Sequence, residues 1–124
     1  MFEKVVEIGL LFDFYGKLLS TKQYQSIELY YIHDLTLSEI GEQLNISRQG
    51  VYDLIKRAEV SLYKYEKTLG LVEKFENNRL KIKELKFLLE KLKELVNIND
   101  ENKTIFENIN LIIEQLLKNN QEVR

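Results

Sequence analysis

The segment Thr36–Arg57 constrains the fold more strongly than any other part of the chain, because it predicts two short helices joined by a tight turn. Thr36 and Glu39 form a capping-box pattern, in which each side chain bonds the backbone N–H group of the other residue at a helix start. Asn45 is suited to a left-handed helix end, and Ser47 is suited to cap the helix that follows. This order of signals is typical of a helix-turn-helix.

Apolar residues recur on one face of each of the two predicted helices, at the spacing of an amphipathic helix. They are Leu37, Ile40 and Leu44 in the first helix and Val51, Leu54, Ile55 and Ala58 in the second. Gly41 lies inside the first helix, where a residue without a side chain lets the second helix cross closely. Helix pairs of this kind also occur in bundles that bind no ligand, so the pattern indicates a fold before it indicates a function.

Two further helices are predicted before this segment. Apolar residues recur at spacings of three and four over residues 2–19, and a capping box at Ser20 starts a helix over residues 21–33. His33, the single histidine, lies at the end of this helix, and the chain has no Cys or second His to complete a metal site. We therefore predict an all-α, four-helix domain without winged elements over residues 1–70.

The second helix of the motif is expected to continue beyond it. Its apolar pattern reaches Leu69, and Gly70 is a typical helix end. The pattern leaves open whether the chain stops there or bends and continues as helix.

Residues 71–124 predict an antiparallel helical hairpin of coiled-coil character. Heptad spacing with one polar layer at Asn78 predicts a helix over residues 71–96, a polar loop follows over 97–102, and a second helix follows over 103–118. The surplus apolar surface predicts a homodimer. The residues assigned to dimerisation are Phe75, Ile82, Leu85, Leu89, Leu92, Ile105, Ile109, Ile112 and Leu116.

Composition limits the functions that this chain can have. No segment resembles a signal peptide or a membrane span, and the lack of Cys suits a reducing compartment, so we expect a cytoplasmic protein. A Gly-rich phosphate loop, a paired-carboxylate site and a nucleophile–base arrangement are all missing from the sequence, which predicts no enzyme and no cofactor. The net charge of −2, with eight basic and ten acidic residues before Gly70, is unusual for a nucleic-acid-binding domain.

Four segments carry a family resemblance: Leu11–Lys22, Leu29–Tyr31, Ser38–Gly41 and Ser47–Asp53. Their Phe-Asp-Phe-Tyr run and their Ser-Arg-Gln-Gly-Val-Tyr-Asp turn resemble the YlxM-like family of small bacterial helix-turn-helix proteins over about residues 5–75. Genes of that family tend to lie beside the gene for the signal recognition particle GTPase. The resemblance therefore implies a regulatory link to that pathway, without naming a chemistry.

The same region is similar to the promoter-reading fourth region of bacterial sigma factors. The matching elements are Glu39-Ile40-Gly41, Ile46-Ser47 and Arg57-Ala58. Gly41 stands where those proteins usually have Ala, and Asn45 stands where they usually have the turn Gly; both replacements are chemically acceptable.

The outward side of the second motif helix is the candidate nucleic-acid-binding surface. Gln49 could read adenine and Arg48 guanine, whereas the basic side chains further along could hold phosphates. Asp53 lies in the middle of this face, where it would repel phosphates. The residues assigned to nucleic-acid binding are Ser47, Arg48, Gln49, Tyr52, Lys56 and Arg57.

Two hypotheses follow. The first is a dimeric regulator that binds duplex DNA at two half-sites spaced about 34 Å apart. The alternative is an adaptor that binds the protein or the RNA of the signal recognition particle through the same helical domain. The recognisable turn with Arg48 and Gln49 favours the first, and the acidic balance and seven tyrosines favour the second.

Overall fold

The computed structural model describes residues 2–121, and within them it contains six α-helices and no strand. This confirms the all-α prediction. The chain divides into two compact units, Met1–Val72 and Glu73–Arg124.

The first unit contains four α-helices. They are α1 (Phe2–Tyr15), α2 (Thr21–Ile27), α3 (Leu37–Leu44) and α4 (Arg48–Leu69). The predicted helix over residues 2–19 ends early, because the chain tightens into a 3₁₀ turn at Gly16–Leu18 where Gly16 lies against the rings of Phe12 and Tyr24. The predicted helix over residues 21–33 is also not regular throughout, since it widens into a π-helical turn at Glu28–Ile32.

One stripe of α4 fills the centre of this unit and packs against α1, α2 and α3. Val51, Ile55, Ala58 and Leu62 are its fully buried members, whereas Leu54 is only partly buried. Burial of a Val, Ile or Leu side chain contributes roughly 1.5–3 kcal/mol to stability. The other buried apolar residues are Ile8, Leu11, Phe12, Tyr15, Leu19, Ile27 and Ile40.

The start of α3 and the turn between α3 and α4 have the geometry that their sequence predicts. The Thr36 hydroxyl accepts from the Glu39 N–H at 3.1 Å, and the Glu39 carboxylate accepts from the Thr36 N–H at 2.9 Å. Asn45 is left-handed (φ 57°), and the Ser47 hydroxyl accepts from the Gly50 N–H at 3.0 Å. A Cβ atom on Gly41 would lie 2.6 Å from the Ile46 carbonyl oxygen, so Gly41 makes room for the turn backbone itself.

The chain bends at Gly70, which resolves the question that the sequence leaves open. Gly70 is left-handed (φ 63°) and ends α4, and α5 (Leu71–Leu95) begins at once. The Tyr15 hydroxyl donates to the Glu66 carboxylate at 2.6 Å and accepts from the Leu71 N–H at 3.1 Å. The same carboxylate accepts from the Val72 N–H at 3.0 Å, so two side chains of the first unit satisfy amides at the start of α5.

A buried carboxylate joins α1 and the π-helical turn to α4. Glu59 is 6% exposed; its carboxylate lies 3.0 Å from the Lys4 ammonium and accepts from the Tyr31 hydroxyl at 3.0 Å. The ammonium of Lys56, one turn earlier on α4, lies 3.9 Å away. Hydrogen bonding to Glu59 raises the pKa of Lys4, and burial followed by the bond to Glu59 raises the pKa of Tyr31. We call Lys4, Tyr31 and Glu59 the Glu59 cluster; the sequence patterns did not predict it.

The second unit contains the rest of α5 together with α6 (Asp100–Gln121), and these two helices pack against each other. The predicted start of the last helix at residue 103 is too late. Asn99 and Asn102 bond each other's backbone N–H groups at 2.8 and 2.9 Å, so Asn102 lies in the first helical turn rather than in the loop. Leu89, Phe106 and Ile113 are buried between the helices, and Ile82, Ile109 and Leu117 are partly buried around them.

We expect Gly41→Ala to lower the free energy of unfolding by about 1–3 kcal/mol, because the new methyl group would meet backbone that cannot rotate away. Chemical denaturation followed by circular dichroism measures the effect. The matched control is Gly9→Ala in α1, where a Cβ meets nothing within 4 Å and the expected change is neutral or stabilising by up to about 1 kcal/mol. Equal effects of the two substitutions would contradict the close approach.

The Glu59 cluster predicts a loss of stability at alkaline pH. Lys4 and Tyr31 hold their protons more tightly in the folded chain than in the unfolded chain. The stability that they contribute is therefore complete below about pH 10 and is lost as pH rises through the folded pKa values. Urea unfolding at pH 8, 10 and 11 should show this fall, and Tyr31→Phe should make it shallower. Tyr30→Phe removes a hydroxyl that does not bond Glu59 and adds only a lesser charge effect on Tyr31, so it should alter the fall much less.

Candidate nucleic-acid interface

The side of α4 opposite its buried stripe carries exposed polar and basic residues. Gln49, Asp53, Lys56 and Arg57 are exposed there, all within the first three turns of the helix. Val60 lies on the same side and is 67% exposed, although sequence reasoning did not select it. Its position eleven residues after Gln49, three helical turns away, is the signal that could have identified it.

Gln49 and Asp53 are bonded to each other, one helical turn apart. The Gln49 amide nitrogen donates to the Asp53 carboxylate at 3.1 Å. An amide has two N–H donors and one carbonyl acceptor, so this bond leaves one donor and the acceptor of Gln49 available. Those two groups are the pair that a glutamine uses to read adenine. The sequence alone counts Asp53 against DNA binding, but in the structure its carboxylate also orients the Gln49 amide.

Arg48, Tyr52 and Lys56 lie toward one flank of α4. They line a cavity of about 650 Å³, and the Lys56 ammonium lies 5.5 Å from the centre of the Tyr52 ring. The other residues of this flank cavity are Lys4, Val5, Tyr30, Tyr31, Asp34, Leu35, Thr36, Leu37, Ile55 and Glu59. The candidate set thus divides, with Gln49 and Arg57 outward, Arg48 and Tyr52 toward the flank, and Lys56 between them.

Ser47 lies in a second depression, of about 410 Å³, at the turn before α4. Its hydroxyl oxygen caps the helix, and its proton can still be donated to a ligand. Arg48 and the positive end of the α4 dipole favour an anion here, whereas Glu42 lines the same depression and opposes one.

The basic residues of the candidate set outnumber the acidic residues on the exposed part of α4 itself. Arg48, Lys56 and Arg57 carry three positive charges there and Asp53 one negative charge, whereas Asp34, Glu42 and Glu59 line the two adjoining depressions. Within residues 2–121, no His, Cys, Asp and Glu side chains are grouped to hold a metal ion. Among the helices that the structure describes, none is both long enough and apolar enough to cross a membrane.

Comparison with known proteins gives consistent matches. The family model described as "UPF0122: Putative helix-turn-helix protein, YlxM / p13 like" matches residues 2–123. A UPF0122 protein of Listeria welshimeri is 47% identical over 91 residues, which cover 73% of this chain and 83% of the relative. A UPF0122 protein of Bacillus mycoides is 44% identical over 109 residues, which cover 88% of this chain and 96% of the relative. No solved structure matches.

These matches extend the resemblance of residues 5–75 to nearly the whole chain, including both helices of the hairpin. The family description names the helix-turn-helix that α3 and α4 form, and it names no enzymatic activity. The chain therefore belongs to the UPF0122 family of YlxM/p13-like helix-turn-helix proteins.

Proposed function

We propose that this chain is a cytoplasmic regulatory protein that binds duplex DNA by placing α4 in the major groove. The observation that carries the proposal is the outward side of α4, where an oriented Gln49 lies beside Lys56 and Arg57 and takes no part in the core. An exposed helix face of this composition has the groups needed for base reading and for phosphate contact.

Base reading is assigned to the start of α4. Gln49 reads adenine with the amide groups that its bond to Asp53 leaves available, and Arg48 reads guanine when it turns from the flank to the groove. Val60 adds an apolar contact further along the same side.

Phosphate contacts are assigned to Ser47, Lys56 and Arg57. Lys56 is held only loosely in the free protein, since its ammonium is 3.9 Å from Glu59 and that carboxylate is already paired with Lys4. Its charge is therefore available to a phosphate. With so few basic contacts, the expected affinity for random DNA is modest, and its logarithm falls with the logarithm of the salt concentration with a slope of only about −2 to −3.

A second candidate function is an adaptor for the protein or the RNA of the signal recognition particle. It is favoured by the ten acidic and eight basic residues of residues 1–72 and by the exposed side chains of Tyr30, Tyr52 and Tyr63. Aromatic side chains of this kind stack on unpaired bases and are common at protein interfaces. Retention of the signal recognition particle GTPase or its RNA on the immobilised chain would support this candidate.

Binding to random duplex DNA at increasing salt tests the proposed function. Affinity should fall as salt increases, and Lys56→Ala or Arg57→Ala should weaken binding and lower the salt slope by about one. Arg48→Ala should weaken binding as well. Lys22→Ala in α2 is the control and should change neither quantity. An absence of binding at about 50 mM salt, where phosphate contacts are strong, would refute the proposal.

Replacement of Asp53 separates its two effects on binding. Asp53→Asn removes the negative charge but keeps an oxygen that can accept from Gln49, so we expect tighter binding to random DNA, by roughly 3- to 10-fold. Asp53→Ala removes the charge and the bond, so it should also bind more tightly but discriminate less between sequences. Fluorescence anisotropy on several duplexes measures both. Weaker binding by Asp53→Asn would contradict the assigned electrostatics.

A further inference from the structure

The two sides of the α5–α6 hairpin differ in chemistry. On one side the Lys86 ammonium lies 2.6 Å from the Glu114 carboxylate, an ion pair that joins the two helices. Lys83 and Glu90 on α5 and Glu107 on α6 are exposed and lie on the same side as this pair by helical position. Solvent is therefore a suitable environment for this side.

The opposite side carries mainly apolar residues next to the interior, with Lys81 as a charged neighbour, and these apolar residues remain exposed. The members of this apolar stripe are Leu85, Leu88, Leu92, Ile105, Ile112 and Leu116, each between 43% and 56% exposed. Large contiguous apolar surfaces of this kind are uncommon on soluble monomers and mark interaction sites.

Helical geometry places all six on one side. On α6 they precede the interior positions Phe106, Ile113 and Leu117 by one residue. On α5, Leu85 and Leu92 follow the interior positions Ile82 and Leu89 by three residues, and Leu88 precedes Leu89 by one. Three residues forward and one residue back point in nearly the same direction around a helix. Because the helices are antiparallel, equal rotation in the same sense brings both stripes to the same side. Lys86 and Glu114 are rotated in the opposite sense, as their ion pair requires.

The occupant of this surface that fits best is a second copy of the hairpin. Six side chains that are half exposed leave roughly 500 Å² of apolar surface per copy, so a pair buries on the order of 1,000 Å² before flanking side chains are counted, which is the lower bound of a specific interface. The sequence after Gly70 has ten basic and ten acidic residues, so two copies meet without net repulsion. A symmetric pair of two-helix surfaces makes a four-helix bundle.

We propose that the chain is a homodimer held by the apolar stripes of two hairpins. Of the positions that the sequence assigns to dimerisation, Leu85, Leu92, Ile105, Ile112 and Leu116 face the partner copy, and Leu88 joins them. Ile82, Leu89 and Ile109 contribute instead to the interior of each hairpin, and Phe75 lies partly buried near the start of α5, away from the stripe.

Analytical ultracentrifugation of the full chain, without nucleic acid, tests the proposal. The wild-type chain should sediment as a dimer, and Leu85→Glu/Leu92→Glu should weaken association by roughly 100-fold or more, because each copy would bury two unpaired carboxylates. The matched control is Leu80→Glu/Phe87→Glu, two residues that are equally exposed but lie on another side of α5. Circular dichroism monitors folding in both variants. A wild-type monomer at every concentration would overturn the proposal and assign the stripe to a different protein.

A cross-linking measurement does not depend on how the charged variants fold. Because the chain contains no Cys, a single cysteine reports on one position. Leu88→Cys, in the stripe, should give a covalent dimer with a short bis-maleimide, and Glu90→Cys, on the ion-paired side, should give little. Equal yields from the two positions would contradict the proposed face.

Discussion

The close approach between Gly41 and the carbonyl oxygen of Ile46 fixes the direction in which the chain leaves α3. The Ile46 N–H also donates to the Gly41 carbonyl at 2.9 Å, so the same two residues both touch and bond. Left-handed Asn45 reverses the chain between them. Once the turn is set, α4 can bury only one stripe against α1, α2 and α3, and the opposite side must face outward. The candidate interface is a consequence of this packing.

Polar contacts between distant residues then hold α4 in place at two points. The Glu59 cluster attaches the start of α1 and the π-helical turn to the middle of α4. Tyr15 and Glu66 attach the end of α1 to the bend at Gly70. Both carboxylates are bonded by several donors, and these bonds compensate for the burial of Glu59 and the partial burial of Glu66. The flank cavity lies beside the first of these attachments, and Glu59, Arg48 and Lys56 are among the residues that line it.

The two units differ in how much of their apolar surface is buried. In the first unit one face of each helix is apolar and is buried, as expected of a self-contained domain. In the hairpin the apolar arc is wider than two helices can cover, and half of it remains exposed. The DNA reading proposed for the first unit and the self-association proposed for the second rest on different residues. Together they would give a protein with two reading helices and a shared axis of symmetry.

The sequence by itself determined the features that depend on neighbours within a few residues. The capping box at Thr36, the left-handed ends at Asn45 and Gly70 and the existence of each α-helix are of this kind, because their hydrogen bonds span three to five positions. Tertiary structure decided the rest. The 3₁₀ and π-helical turns change the spacing of apolar residues too little to be recognised in the sequence. The Glu59 cluster joins Glu59 to residues that lie 28 and 55 positions before it in the chain. Heptad spacing identified the apolar residues of the hairpin. Only the packing of α5 on α6 decided which of them are interior and which are exposed, because the helix it packs against sets the rotation of a helix about its own axis.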